Sequence, residues 1–157
     1  MIKAIGIGNR LMIDDGIAIS VLERIRNKLE SIGIEVIIGE TDFQFYFHQL
    51  KKDDFVIILD AAYSGTVAGS IHTYKLREAV TAYRETNSQH DMTIYDLMRL
   101  HSKSLKGYLI GIEIAKIGFG CELSETLKGK FSEICLEVER IIYEIVKEIQ
   151  NARYFSK

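Results

Sequence analysis

The amino-acid sequence predicts a single-domain, three-layer α/β/α sandwich around a mostly parallel, mixed sheet, spanning residues 1–157. Three observations predict it. Short, nearly continuous apolar runs such as DFVIIL at 54–59 suit strands buried on both faces. Between such runs lie segments with apolar residues at helical spacing, and strands alternating with helices build a parallel sheet covered on both sides. Composition agrees: 47% hydrophobic and 27% charged residues suit one globular core at this length.

The elements follow in order. Lys3–Gly8 is a short apolar run ending in glycines, a buried first strand. From Ala18, the residues Leu22, Ile25, Leu29 and Ile32 recur at helical spacing, and Gly33 supplies the C-terminal cap. Ile34–Ile38 is the second strand, and FQFYFHQL at 43–50 a short aromatic helix. Asp54–Leu59 is a third, fully buried strand that ends at Asp60, and another strand falls within Ser70–Leu76. A polar stretch at 81–91 leads into a helix through Ile94, Leu97, Met98 and His101. Lys106–Ile114 is the last strand. Ser124 caps a long final helix with Leu127, Phe131, Ile134, Val138, Ile141, Ile145 and Ile149 on one face.

Charge and composition exclude several classes. A formal net charge of -2 gives no reason to expect nucleic acid. No apolar run approaches the roughly 20 residues that span a bilayer, so no membrane partner is expected. The start, MIKAIGIGN, lacks the layout of a signal peptide, and the two cysteines, Cys121 and Cys135, form no disulfide framework. Both point to a cytoplasmic protein with reduced thiols. There is no repeat, low-complexity segment or linker.

In open α/β sheets, binding groups gather at the carboxyl ends of the strands. Asp15 follows the first strand, Asp60 ends the third, and His90 lies in the polar loop before a helix. Asp60 is the cleanest of the three, because a carboxylate directly after a buried apolar run is costly unless something pairs with it. Two carboxylates and one imidazole suit a borderline divalent metal such as nickel or zinc, with positions left open for water or substrate. Structural roles compete with this. Asp14 and Asp15 can oppose a helix dipole, worth about 0.3–1 kcal/mol each, Asp60 can cap neighbouring amides, and loop histidines are common.

One resemblance is more specific. Gly8-Asn9-x-Leu11-x-x-Asp14-Asp15-Gly16, a buried strand ending in Asp60, and His90 before a helix together resemble the hydrogenase maturation endopeptidases. GIEIAKIGFGCELS at 111–124 is similar to that family's segment leading into its final helix. The resemblance runs from the first strand to the last helix. It implies an endopeptidase that removes a C-terminal extension from the nickel-loaded precursor of a nickel-iron hydrogenase large subunit. It also implies that Asp15, Asp60 and His90 are both metal-engaging and catalytic, with nickel presented by the substrate and no organic cofactor. The chain departs from the family pattern at Ala18, where glycine is frequent, at Gln89, where proline usually precedes the histidine, and at Asp15, where glutamate is common. A non-catalytic metal-binding assembly factor of the same fold is the alternative.

Other signals carry less. Gly6-x-Gly8 with Glu40 is similar to a dinucleotide fingerprint, but Leu11 takes the third glycine position and Asp14-Asp15 would repel a pyrophosphate. Cys121 is expected in a packed loop and Cys135 in the core. His48 and His72 are expected in buried or half-buried packing roles. Phe43, Phe45, Tyr46 and Phe47 are expected in core and edge packing.

Overall fold

The structure is a computed structural model that describes residues 1–82 and 105–154, with side chains placed for all of these except 43–45, 80–82 and 152–154. The chain runs β1 (Ile2–Ile7), a 3-10 turn (Ile13–Gly16), α1 (Ile17–Ser31), β2 (Ile34–Glu40), α2 (Phe43–Gln49), β3 (Phe55–Ala62), β4 (Ile71–Lys75), α3 (Leu76–Ala82), β5 (Lys106–Glu113) and α4 (Glu125–Tyr154). The strands form one five-stranded sheet in the order β2-β1-β3-β5-β4. β1 pairs in parallel with β2 and β3, and β3 with β5; β4 is an antiparallel edge strand on β5.

Alternation along the strands separates two cores. Ala4, Ile57, Leu59, Ile110 and Ile112 face α1 and α4, where Val21, Leu22, Leu29, Leu127, Val138 and Ile142 complete the larger cluster. Their neighbours Ile5, Val56 and Ile58 face the other way and pack with Phe47 and Leu50 of the α2 region and Leu76 and Ala79 of α3. Side chains of period 2 on a sheet between two helical layers are the physical content of the expected sandwich. Each fully buried Ile or Leu contributes about 1.5–3 kcal/mol of transfer free energy, so these two clusters fix which face each strand presents.

The differences from expectation lie at element ends. The helix begins at Ile17, ahead of Ala18, and Ile32 is its exposed C-cap residue rather than part of the buried stripe. Gly33 follows at φ +83°, a left-handed conformation that glycine adopts without penalty. α3 was not expected; LREAVTA is helix-favouring and follows β4 with no glycine between them. On α4 the buried stripe takes Ile142 and Val146, while Ile141 is only partly buried. The expected helix through Ile94, Leu97, Met98 and His101 lies outside the described residues.

Candidate active site at the carboxyl edge of the sheet

Chain connectivity reverses between β1 and β3, since β1 leads through α1 to β2 on one side and β3 pairs with β5 on the other. Such a switch point opens a crevice beyond the strand ends. The turn that leaves β1 is built for close approach. Gly8 has φ +144°, and a Cβ there would lie 2.1 Å from the Asp15 carbonyl oxygen. Glycine is therefore required for the turn to fold back on the strand. The side-chain oxygen of Asn9 accepts the Leu11 amide at 2.9 Å, a local Asx turn, and the Asn9 amide donates to Asp15 Oδ2 at 2.7 Å. The Gly-Asn motif is thus a device for holding Asp15.

Asp60 lies near the end of β3, paired in register with Gly111 of β5. Its Oδ1 accepts the Ala61 amide at 2.9 Å. Burial, followed by the charge of Asp15, pushes the Asp60 carboxyl up to about 7, against the smaller effect of that hydrogen bond. The structure therefore places two of the three expected residues, Asp15 and Asp60, at one edge of the sheet and within electrostatic range of each other. The third, His90, lies outside the described residues. Among the described residues, Asp15 Oδ1 and Asp60 Oδ2 accept no hydrogen bond, and no group of three or more His, Cys, Asp or Glu side chains is placed to hold a metal unaided. Two carboxylates with an unengaged oxygen each are a suitable partial donor set for a divalent ion whose other ligands come from elsewhere.

Asp14 differs from the sequence-based reading. A helix-dipole role was one of its readings in sequence, but it is fully buried and makes no side-chain cap to its own turn. Its carboxylate instead accepts the amides of Ala115 (3.0 Å), Lys116 (2.8 Å) and Ser124 (2.7 Å) and the Ser124 hydroxyl (2.8 Å). Ser124 also caps α4 as expected, accepting the Leu127 amide at 3.3 Å. Sequence reasoning missed a second buried carboxylate, Glu113 at the end of β5. It accepts the amides of Ser64, Gly65 and Thr66 and the Ser64 hydroxyl. Burial alone would raise the Glu113 carboxyl, but the hydrogen bonds from Ser64, Gly65 and Thr66 outweigh it and hold it below the usual carboxylate range. Its one sequence signal was an acid inside the apolar run GYLIGIEI.

Glu40, the acid of the dinucleotide-like pattern, is bound by Arg10 at 2.8 Å, and Arg10 also pairs with Glu23 at 2.7 Å. The space beside Gly8 that a pyrophosphate would need holds the Asp15 carbonyl. Cys135 is buried as expected, whereas Cys121 is exposed rather than packed. His48 is exposed at the edge of Phe47, and His72 is half-buried with its Nε2 3.0 Å from the Thr66 hydroxyl. Phe47 is a core residue and Tyr46 partly buried beside it.

The arrangement defines an open α/β protein that presents paired carboxylates at its switch point. The family model of HycI, hydrogenase maturation protease, matches residues 19–149. The chain belongs to that family, the hydrogenase maturation proteases, and its activity is hydrolysis of peptide bonds. Solved structures share the fold. The hydrogenase maturating endopeptidase HybD from E. coli superposes with a TM-score of 0.68 at 19% identity, covering 91% of this chain and 92% of that one. The [NiFe] hydrogenase maturation protease HycI from Thermococcus kodakarensis gives 0.69 at 23% identity, over 93% and 92%. HybD from the same organism gives 0.68 at 23%, over 89% and 97%. No curated protein sequence matches the chain.

Proposed function

We propose that this protease removes a C-terminal extension from the nickel-loaded precursor of a nickel-iron hydrogenase large subunit, using Asp15, Asp60 and His90 to engage the metal. The observation that carries this reading is that Asp15 and Asp60, 45 positions apart in the chain, lie within electrostatic range at one edge of the sheet, where among the described residues one oxygen of each accepts no hydrogen bond. The nickel is part of the substrate, held by the precursor's own thiolates, and supplies Lewis acidity beside the scissile carbonyl. Asp15 and Asp60 contribute carboxylate oxygens and His90 an imidazole nitrogen. Only a loaded precursor then binds with the cleavage site in register, and proximity lowers the barrier.

A protein substrate fits the surroundings. Leu11 (52% exposed) and Phe119 (88% exposed) stand on the loops that leave β1 and β5 at this same edge, and exposed apolar side chains of this size favour a macromolecular partner. The reading places the protein in the cytoplasm. Two observations are consistent with that: both cysteines are free, and among the described residues no helix is long and apolar enough to cross a membrane.

Incubating the protein with purified precursor, nickel-loaded or metal-free, tests the reading by intact-mass spectrometry. Loss of a short C-terminal peptide from the loaded form alone is expected. Tight binding of the loaded form without any mass loss would overturn it in favour of the assembly factor.

A further inference from the structure

Asp15 stands in the turn after β1 and Asp60 near the end of β3, yet the Asp15 turn and the loop after Asp60 are both tied to one stretch of chain, residues 113–124. Asp14, the residue before Asp15, is bound by the amides of Ala115, Lys116 and Ser124 and by the Ser124 hydroxyl. Glu113 reaches the other way, to the Ser64–Thr66 loop that continues from Asp60. Main-chain bonds reinforce both ties. The Ile13 amide donates to the Gly120 carbonyl at 2.8 Å, and the Ile114 amide to the Ala62 carbonyl at 2.9 Å. Both carboxylates are essentially removed from solvent, at 0% and 1% exposure.

From this arrangement we infer that Asp14 and Glu113 are positioning residues, which set the separation of Asp15 and Asp60 by anchoring the Asp15 turn and the loop after Asp60 to one shared segment. Burying two carboxylates is costly, and apolar side chains would hold two loops against a core more cheaply. What a carboxylate adds is direction: four donors converge on each and fix the position of the loop they leave. The turn at Asp15 also needs such fixing. Ile13 has φ +48°, a left-handed conformation that a β-branched residue adopts only when its surroundings over-determine it. Its side chain packs where Gly118 and Gly120 leave space, since a Cβ on Gly120 would lie 3.1 Å from Ile13 Cγ1. Without the Asp14 anchor, Ile13 relaxes to negative φ and carries the Asp15 carboxylate away from the Asn9 amide. The inference rests on the reading of Asp15 and Asp60 as the working pair, and it deepens that reading.

Two backbone amides report the geometry directly. Asn9 N–H donates to Asp15 Oδ2 and Ala61 N–H to Asp60 Oδ1. Their proton shifts and exchange rates can be followed by NMR in Ser124→Ala, Ser124→Thr and Glu113→Gln, with the Ile57 amide as a core reference. Ser124→Ala is expected to lower the protection of the Asn9 amide about tenfold while Ile57 is unchanged, as local opening does. Ser124→Thr, which keeps the hydroxyl, restores it. Glu113→Gln is expected to shift the Ala61 amide. Precursor processing by the folded variants should lose kcat with KM held within about twofold, because displacing a reacting group by about 1 Å is costly in rate. If the Asn9 and Ala61 amides keep their wild-type shifts and protection while only Tm falls, the two acids merely stabilise the fold and the inference is wrong. A wild-type protein that leaves the precursor uncut while these amides respond as described would instead refute the proposed function and leave the positioning role standing.

Discussion

The Asp14 carboxylate spans from the first turn of the chain to the start of its last helix, where the Ser124 amide and hydroxyl both donate to it, at 2.7 and 2.8 Å. Together with the Ala115 and Lys116 amides, this makes a buried charge satisfied entirely by the chain. Asp14→Ala removes the shared acceptor of three main-chain amides and one hydroxyl. Its cost is therefore expected at about 3–5 kcal/mol, well beyond a helix-dipole effect of about 0.3–1 kcal/mol. Urea denaturation followed by circular dichroism measures it; a loss near 1 kcal/mol would return Asp14 to the dipole role.

How much of this was legible in the sequence depends on the range of the interaction. β3 was readable because a strand buried on both faces needs an unbroken apolar run, and β1, β2 and β5 because each is a short, mostly apolar segment. Asp60 was readable as the charge that ends such a run. Asp14 and Glu113 were not, because their partners lie 101–110 and 47–49 positions away and are mostly main-chain amides, which leave no mark on residue identity. The same holds for Ile13, whose left-handed backbone depends on distant glycines. α3 escaped notice because a short helix directly after a strand has neither cap signal nor room for a period. His90, grouped with the two acids by residue type and by resemblance, lies outside the described residues, and its role remains a proposal.

Raising the Asp60 carboxyl from its ordinary 3.8 to about 7 has a thermodynamic consequence for the metal-free protein. Between about pH 4 and pH 7 the unfolded chain ionises this group and the folded chain does not, so stability falls as pH rises across that window and the cost is constant above it. Asp60→Asn removes the titration. Its advantage over wild type should be near zero at pH 4, grow to roughly 2–4 kcal/mol by pH 7 and then level off. Paired denaturation curves at several pH values check this; an advantage independent of pH would show that Asp60 ionises normally.

The same substitution acts oppositely on processing. Asp60→Asn, Asp15→Asn and His90→Ala each remove one proposed ligand, and each is expected to lower kcat/KM on nickel-loaded precursor by at least about 100-fold while the far-ultraviolet spectrum is retained. Gel-shift or intact-mass time courses give the rates. Normal cleavage by any one variant removes that residue from the proposed set.

Gly8 gives a prediction in which the backbone alone is changed. A Cβ at this position would approach the Asp15 carbonyl oxygen to 2.1 Å, and the residue's φ of +144° is unfavourable for any L side chain. The contact is with main chain, so no rotamer change relieves it, and the 3-10 turn must move away from β1. Gly8→Ala is thus expected to cost about 2–3 kcal/mol from clash and backbone strain together. It should also abolish processing in the molecules that remain folded, because the Asn9–Asp15 hydrogen bond is lost with the displacement. Gly33→Ala is the control. Gly33 is likewise left-handed, at φ +83°, but a Cβ there meets nothing within 4 Å. It should lose stability by about 1 kcal/mol and keep full processing. Equal processing by the two variants would show that close approach at Gly8 does not control the placement of Asp15.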